Sequence, residues 1–160
     1  MRIICTKDDT VYNPYVPLPI GNGDLSLQID YEGAQRQEKF CDMTPGIRRA
    51  GYRYDSAVQP APRGFIPLGF FDQVIAGAGE PYDWSQTIDL DRGVVECRTI
   101  YTDGLVMDSV VFCHYARNII AVHKRLSRPR RYAFRYHLAA RRLRVTPQRD
   151  LELRCEFDLD

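Results

Sequence analysis

The sequence predicts an all-β protein, an antiparallel β-sandwich, and three observations carry that expectation. Residues 151–160 (LELRCEFDLD) alternate apolar and charged side chains five times over, the period of a half-buried strand. Two apolar-rich runs, 94–102 and 105–115, flank Asp103-Gly104, a dipeptide that favours the tight turn of a β-hairpin. No stretch of 12 residues or more shows a convincing helical period.

Taken in order, the first strand pattern is 25–31, where Leu25, Leu27, Ile29 and Tyr31 alternate with Ser26, Gln28 and Asp30. Glu32-Gly33-Ala34 then reads as a turn into a hairpin partner over 35–40. Residues 41–84 hold Pro45, Gly46, Gly51, Pro60, Pro62, Gly64, Pro67, Gly69, Gly77, Gly79 and Pro81. That density breaks helices and predicts a long loop region with short strand pieces such as 65–71. With Asp103 and Gly104 as a two-residue turn, Val95, Cys97 and Tyr101 oppose Phe112, Val110 and Val106 on an apolar face. Thr99 and Asp108, and Arg98 and Ser109, then pair on a mixed face. Ala116-Arg117-Asn118 supplies a second turn into a strand at 119–125, and 131–140 is expected to extend this meander. The final strand stops at Asp160 without a turn or tail. The expectation is therefore a single sandwich domain over 1–160 that is a fragment of a larger enzyme.

Composition excludes several classes. With 160 residues, 44% hydrophobic and 27% charged, the chain has apolar material for a core and is not a disordered tail. Its longest apolar runs, such as 110–113, fall far short of a membrane span, so no membrane partner is expected. Five cysteines (Cys5, Cys41, Cys97, Cys113, Cys155) form no CxxC, and His114, His123 and His137 form neither HxH nor HExxH. Neither a disulfide framework nor a metal is expected, and nothing points to a cofactor. The start turns acidic before a signal-peptide core forms, which favours a cytoplasmic compartment. A periplasmic or secreted protein is the alternative if a leading segment preceded Met1.

The net charge of +1 conceals an asymmetry. Residues 1–123 carry 11 basic and 16 acidic groups, 124–149 carry 10 and none, and 150–160 carry 1 and 5. Nucleic-acid binding is the obvious reading of the basic block, but in 131–138 (RYAFRYHL) arginines and aromatics alternate at period 2. Opposite sheet faces therefore receive the two classes, the aromatics look like core, and the acidic segment offers cross-strand partners for the basic one. No nucleic acid is expected.

Two stretches resemble a known family. PLPIGNGDLSL at 17–27 is similar to the opening of the N-terminal β-sandwich, or supersandwich, domain of glycoside hydrolases and phosphorylases with an (α/α)6-barrel catalytic domain, such as those of families 65 and 95. About 65 residues on, IDLDRGVV, YTDG, SVVFC and NIIAVHKRL follow in the order found there, so the resemblance covers 17–31 and 86–126. The resemblance implies a non-catalytic domain that braces the barrel of the same polypeptide, with the catalytic groups in the barrel. Its departures lie at 41–63 and in the short length, which leave the glycan and the choice between hydrolysis and phosphorolysis open.

Four residues are the candidates for carbohydrate or interdomain contact. Asn22 and Asp24 lie in a Gly-Asn-Gly-Asp turn and offer a donor and acceptors to sugar hydroxyls or to a neighbouring domain. Trp84, the sole tryptophan, is either a stacking platform for a pyranose or a packing residue. Arg48, with Arg49, Arg53, Tyr52 and Tyr54, forms a loop cluster that suits an acidic sugar or a partner surface, or is simply solvated. The pairs Asp89/Asp91 and Asp8/Asp9 are rejected as a glycosidase dyad. Asp89 and Asp91 flank a turn with no sign of the burial that raises a catalytic carboxyl. The alternatives to an accessory domain are a free-standing carbohydrate-binding module built on Trp84 and a domain that associates through an exposed sheet edge.

Overall fold

The computed structural model describes residues 1–10, 15–35, 47–51, 64–138, 143–148 and 152–157, and of residues 10, 48–51, 64–67, 138, 143–148 and 152–157 the backbone alone. The protein is all-β and antiparallel. One five-stranded sheet has the order β1 (Arg2–Thr6), β6 (Pro81–Asp89), β7 (Val94–Tyr101), β8 (Val106–Cys113), β9 (Ile120–Leu126). The other has the order β10 (Tyr132–Leu138), β5 (Gly64–Ile75), β4 (Ile47–Gly51), β3 (Leu25–Ile29), β2 (Leu18–Gly21). A separate two-stranded ribbon joins β11 (Leu143–Gln148) to β12 (Glu152–Phe157).

The two sheets face each other across one core. Leu25, Leu27 and Ile29 of β3, Ile20, Ile47, Leu68 and Phe71 from one sheet pack with Val95, Cys97, Val111 and Cys113 from the other. Burying each large aliphatic side chain contributes about 1.5–3 kcal/mol, so this layer is what holds the sheets together in bulk. A satellite cluster of Tyr101, Leu105 and Met107, with Ile75 and Leu126 against it, closes the end of the sandwich where β7 turns into β8.

The period-2 patterns form strands at β3, at β7, β8 and β9, and at β12. In the ribbon the register sets Arg144 against Glu156, an opposite-charge pair of the kind expected between the basic and acidic segments.

Four expectations need correction. The β7–β8 register is shifted by one residue: Val95 pairs with Val111, Cys97 with Ser109 and Thr99 with Met107. The reason is the loop, which has three residues rather than two. The Tyr101 N–H donates to Leu105 O and the Gly104 N–H to Tyr101 O, with Gly104 at φ +78 as the left-handed residue. Because alternation is strict, the slip exchanges faces: Phe112, Val110 and Val106 stand outside and Val111, Ser109 and Met107 inside.

Second, β10 does not extend the meander. The chain turns at Ser127–Pro129 and β10 pairs with β5 of the opposite sheet, Tyr136 against Phe71 and Tyr132 against Ile75. The β10 aromatics do face the core, but as members of an edge strand they are only partly covered, and Phe134 is 41% exposed while stacking on Phe71.

Third, 41–84 is not mainly loop. Its described residues contain β4, the 12-residue β5 and the start of β6. Glycine and proline argue against helix there, yet β4 sits centrally with ladders to β3 and β5 on either side. Fourth, Gln35 does not start a strand beside β3. Its N–H donates to Phe71 O, and its Oε1 accepts from the Phe71 N–H, beside β5 where the β4 ladder has ended at Ile47 and Gly69. The remainder of the expected hairpin partner, 36–40, lies outside the described residues.

Candidate functional site

The turn at 21–24 is built by its own sequence. Asn22 Oδ1 accepts from the N–H groups of Asp24 (3.1 Å) and Leu25 (2.7 Å), and Gly23 takes φ +95. A side chain at Gly21 would bring its Cβ to 2.6 Å from Leu25 O, so the turn closes too tightly for any other residue. The other half of Asn22 crosses to the opposite sheet. Its Nδ2 donates to His114 O (3.0 Å), Arg117 O (3.2 Å) and Asn118 Oδ1 (3.2 Å), and Asn118 Nδ2 donates to Asp24 Oδ2. The two candidate residues thus form a clamp between the β2–β3 turn and the β8–β9 turn.

Trp84 is 8% exposed. Tyr31 stacks on its ring at 4.8 Å and 8°, and Tyr15 meets both rings edge-on at 5.1 Å. This is the packing role; one ring face is already covered by Tyr31. Burial, and after it the Asp30 carboxylate, push the Tyr15 hydroxyl far above its usual range. That hydroxyl donates to Gln86 Oε1 (3.1 Å).

Arg48 was expected in a loop and instead lies in β4, its backbone in register with Ser26 and Pro67. Its side chain, and residues 52–54 of the same cluster, lie outside the described residues. The four candidates therefore do not converge: Asn22 and Asp24 meet each other, Trp84 joins an aromatic cluster, and Arg48 sits in a central strand.

Asp89 is 3% exposed, although its place beside a turn gave no sign of burial. Burial raises its pKa, but hydrogen bonds from the Arg92 N–H, the Arg2 guanidinium (3.0 Å) and the Asp91 N–H outweigh it and hold the carboxyl below its usual value. Asp91 takes the N-terminal ammonium group. Asp9 accepts from the N–H and hydroxyl of Thr6, which hold its carboxyl low as well. Neither Asp89 nor Asp9 is poised as a proton donor near neutrality.

Sequence reasoning missed the most polar part of the interior. The segment after β3, Asp30-Tyr31-Glu32-Gly33-Ala34-Gln35, is folded between the sheets; Asp30, Ala34 and Gln35 are fully buried, and Glu32 is 2% exposed. Buried loop carbonyls are costly unless paired. Here four consecutive carbonyls are each met by a side chain from the opposite sheet. Gln86 of β6 donates to Ile29 O (2.7 Å), the Cys97 thiol of β7 to Asp30 O (3.4 Å), and Thr99 of β7 to Tyr31 O (2.6 Å). Ser109 of β8 (3.2 Å) and Lys124 of β9 both donate to Glu32 O. Tyr101 donates to Glu32 Oε1 (2.6 Å), and Asp30 Oδ1 accepts from the N–H groups of Glu32 and Ala34. Gly33, at φ +66, lies so close to β8 that an added Cβ would fall 2.5 Å from Ser109 Cβ.

The Cys97 thiol is pushed up to about 12 by burial first and the Asp30 charge second, so it stays protonated and unreactive. The signal available in the sequence was the row of polar residues (Gln86, Thr99, Ser109, Lys124) at positions that the correct register turns inward.

Cys5, Cys97 and Cys113 are free, and among the described residues no cluster of histidine, cysteine or carboxylate side chains could hold a metal ion. No helix among them is long and apolar enough to cross a membrane. No family model, curated protein or solved structure matches the chain.

Proposed function

We propose that the chain is a non-catalytic N-terminal β-sandwich domain of a carbohydrate-active enzyme, a glycoside hydrolase or phosphorylase, which braces a catalytic barrel in the same polypeptide. The observation that carries this reading is that the two stretches bearing the resemblance, 17–31 and 86–126, meet as one unit in the fold. Asn22 and Asp24 hold the 114–118 turn, and the carbonyls of Ile29, Asp30 and Tyr31 are read by Gln86, Cys97 and Thr99. Residues that match a family for structural reasons should hold each other in place, and these do. The engagement of Asn22 and Asp24 in the clamp supports a bracing role over direct contact with sugar hydroxyls. Asp89, Asp91 and Asp9, considered as members of acid–base pairs, have their own structural partners, which supports placing catalysis elsewhere in the polypeptide.

The test is an assay of the native polypeptide, purified from its source, beside the 160-residue chain, against a panel of aryl glycosides with and without inorganic phosphate. The reading predicts glycoside cleavage by the native polypeptide and none by the 160-residue chain. Turnover by the 160-residue chain, or none by either, would contradict it.

A further inference from the structure

The chain holds three asparagines, and one of them stands where that residue is chemically least durable. Asparagine is lost when the backbone nitrogen of the next residue attacks its side-chain Cγ, so the neighbour sets the rate. Asn13 precedes Pro14, whose ring nitrogen has no hydrogen to give up, and Asn118 precedes Ile119, whose branched Cβ shields the nitrogen. Asn22 precedes Gly23, which offers no such shield. Gly23 is exposed, and a Cβ added there would meet nothing within 4 Å, so water reaches the turn freely.

The clamp acts on this same side chain. Its orientation is fixed, because Oδ1 faces the N–H groups of Asp24 and Leu25 while Nδ2 faces the carbonyls of His114 and Arg117. Loss of the amide forms the Gly23 N to Asn22 Cγ bond and breaks the bond from Cγ to Nδ2. The Gly23 nitrogen gives its proton to solvent, and Nδ2 takes one up and leaves as ammonia. Water then opens the succinimide to aspartate or isoaspartate, so water is the sole co-reactant and nothing is oxidised or reduced. In the closed clamp Nδ2 faces acceptors: His114 O, Arg117 O and Asn118 Oδ1. None of these can supply the proton that departing ammonia needs, and all three bonds vanish with the nitrogen. The clamped carboxamide is therefore held in its unreactive state.

The product cannot resume the grip. A carboxylate at position 22 brings acceptor oxygens, and no donor, to His114 O, Arg117 O and Asn118 Oδ1. Isoaspartate also adds a carbon to the backbone of a turn that is already too tight at Gly21 for a Cβ. We propose that Asn22 is a deamidation site gated by the clamp: it converts to aspartate or isoaspartate while the grip on 114–118 is open, and conversion keeps the grip from re-forming. The rim contact between the β2–β3 and β8–β9 turns is thus released once and irreversibly, whatever polypeptide the sandwich belongs to.

The test incubates the native polypeptide in mildly alkaline heavy-oxygen water, beside a synthetic peptide of residues 17–27, and follows conversion at position 22 by peptide mass spectrometry. Conversion in the folded protein is expected to be about tenfold slower than in the peptide, equivalent to a clamp opening that costs about 1.4 kcal/mol. Asn118→Ala removes one acceptor from Nδ2 and the bond to Asp24, and is expected to recover most of that factor. Thr99→Val weakens the buried contacts instead and should leave the rate unchanged, which separates opening of the rim from unfolding of the domain. In Asn22→Asp, which stands for the product, amide hydrogen exchange over 114–119 should quicken about tenfold. Equal rates in protein and peptide, an unaltered rate in Asn118→Ala, or an acceleration by Thr99→Val as large as that by Asn118→Ala would overturn the gating. Unchanged exchange over 114–119 in Asn22→Asp would show that the clamp survives conversion and overturn the release.

Discussion

Two seams join the sheets of this sandwich, and they use the same chemistry in different surroundings. In the inner seam, side chains of β6 to β9 satisfy the carbonyls of residues 29–32 out of contact with water. In the outer seam, Asn22 and Asp24 grip the 114–118 turn at the rim, where Asn118 is exposed and Asn22 half-buried. A group that loses its partner in the inner seam has no substitute, whereas at the rim water takes the vacated position. Equal numbers of hydrogen bonds should therefore carry unequal weight, and substitutions can break or sharpen that contrast.

The largest effect is expected at Gly33. Gly33→Ala places a side chain at φ +66 and its Cβ against Ser109, with Lys124 Nζ also within 3.2 Å. A loss of about 3 kcal/mol or more is expected from combined strain and overpacking, read by urea denaturation. A loss below about 0.5 kcal/mol, the size of an ordinary surface change, would show that the loop is not wedged against β8.

Next is Thr99→Val, which keeps the shape and removes only the hydroxyl that serves Tyr31 O. The expected loss is about 1–3 kcal/mol, the penalty of one unpaired buried carbonyl. Asn22→Ala removes more hydrogen bonds, yet its expected loss is only about 0.5–2 kcal/mol, in the range of other exposed capping side chains. If Asn22→Ala proved clearly more damaging than Thr99→Val, the contrast between the seams would fail.

The smallest effect is electrostatic. The Leu105 N–H bond and the Arg128 and Arg130 guanidinium groups hold the Asp103 carboxyl down at about 2, against the opposing pull of burial. A carboxyl with a depressed folded pKa stabilises the fold above its unfolded value of 3.8 and ceases to do so as pH falls from there toward 2. Asp103→Asn should therefore lower stability at pH 7 and flatten the decline of Tm between those pH values. An unchanged acid limb would show that these surface pairs add nothing.

What was legible in the sequence follows the same division between regions. The strand patterns at β3, β7 to β9 and β12 declare themselves, because an apolar residue at every second position has no other use. The β7–β8 register did not, since Asp103-Gly104 fits a two-residue turn and a three-residue loop equally well on paper. Only the hydrogen bond from Tyr101 to Leu105 decides between them. Asp30, Glu32 and Gln35 look like any polar turn, and nothing local announces that they lie between the sheets. Their burial depends on Gln86, Thr99 and Ser109, which lie 57, 68 and 77 positions along the chain from the carbonyls they serve. Of the candidate site, the Asn22–Asp24 turn was legible as a turn, and its grip on residues 114–118 was not. Trp84 carried two meanings, and only the proximity of Tyr15 and Tyr31 selects packing.

The most direct measurement is the mass of the native protein in its source cells, detected with an antibody raised against these 160 residues. The account predicts a band several times larger than 18.5 kDa, as a sandwich followed by a catalytic barrel requires. A single band at 18.5 kDa would contradict it and leave a self-contained binding or interaction module in its place.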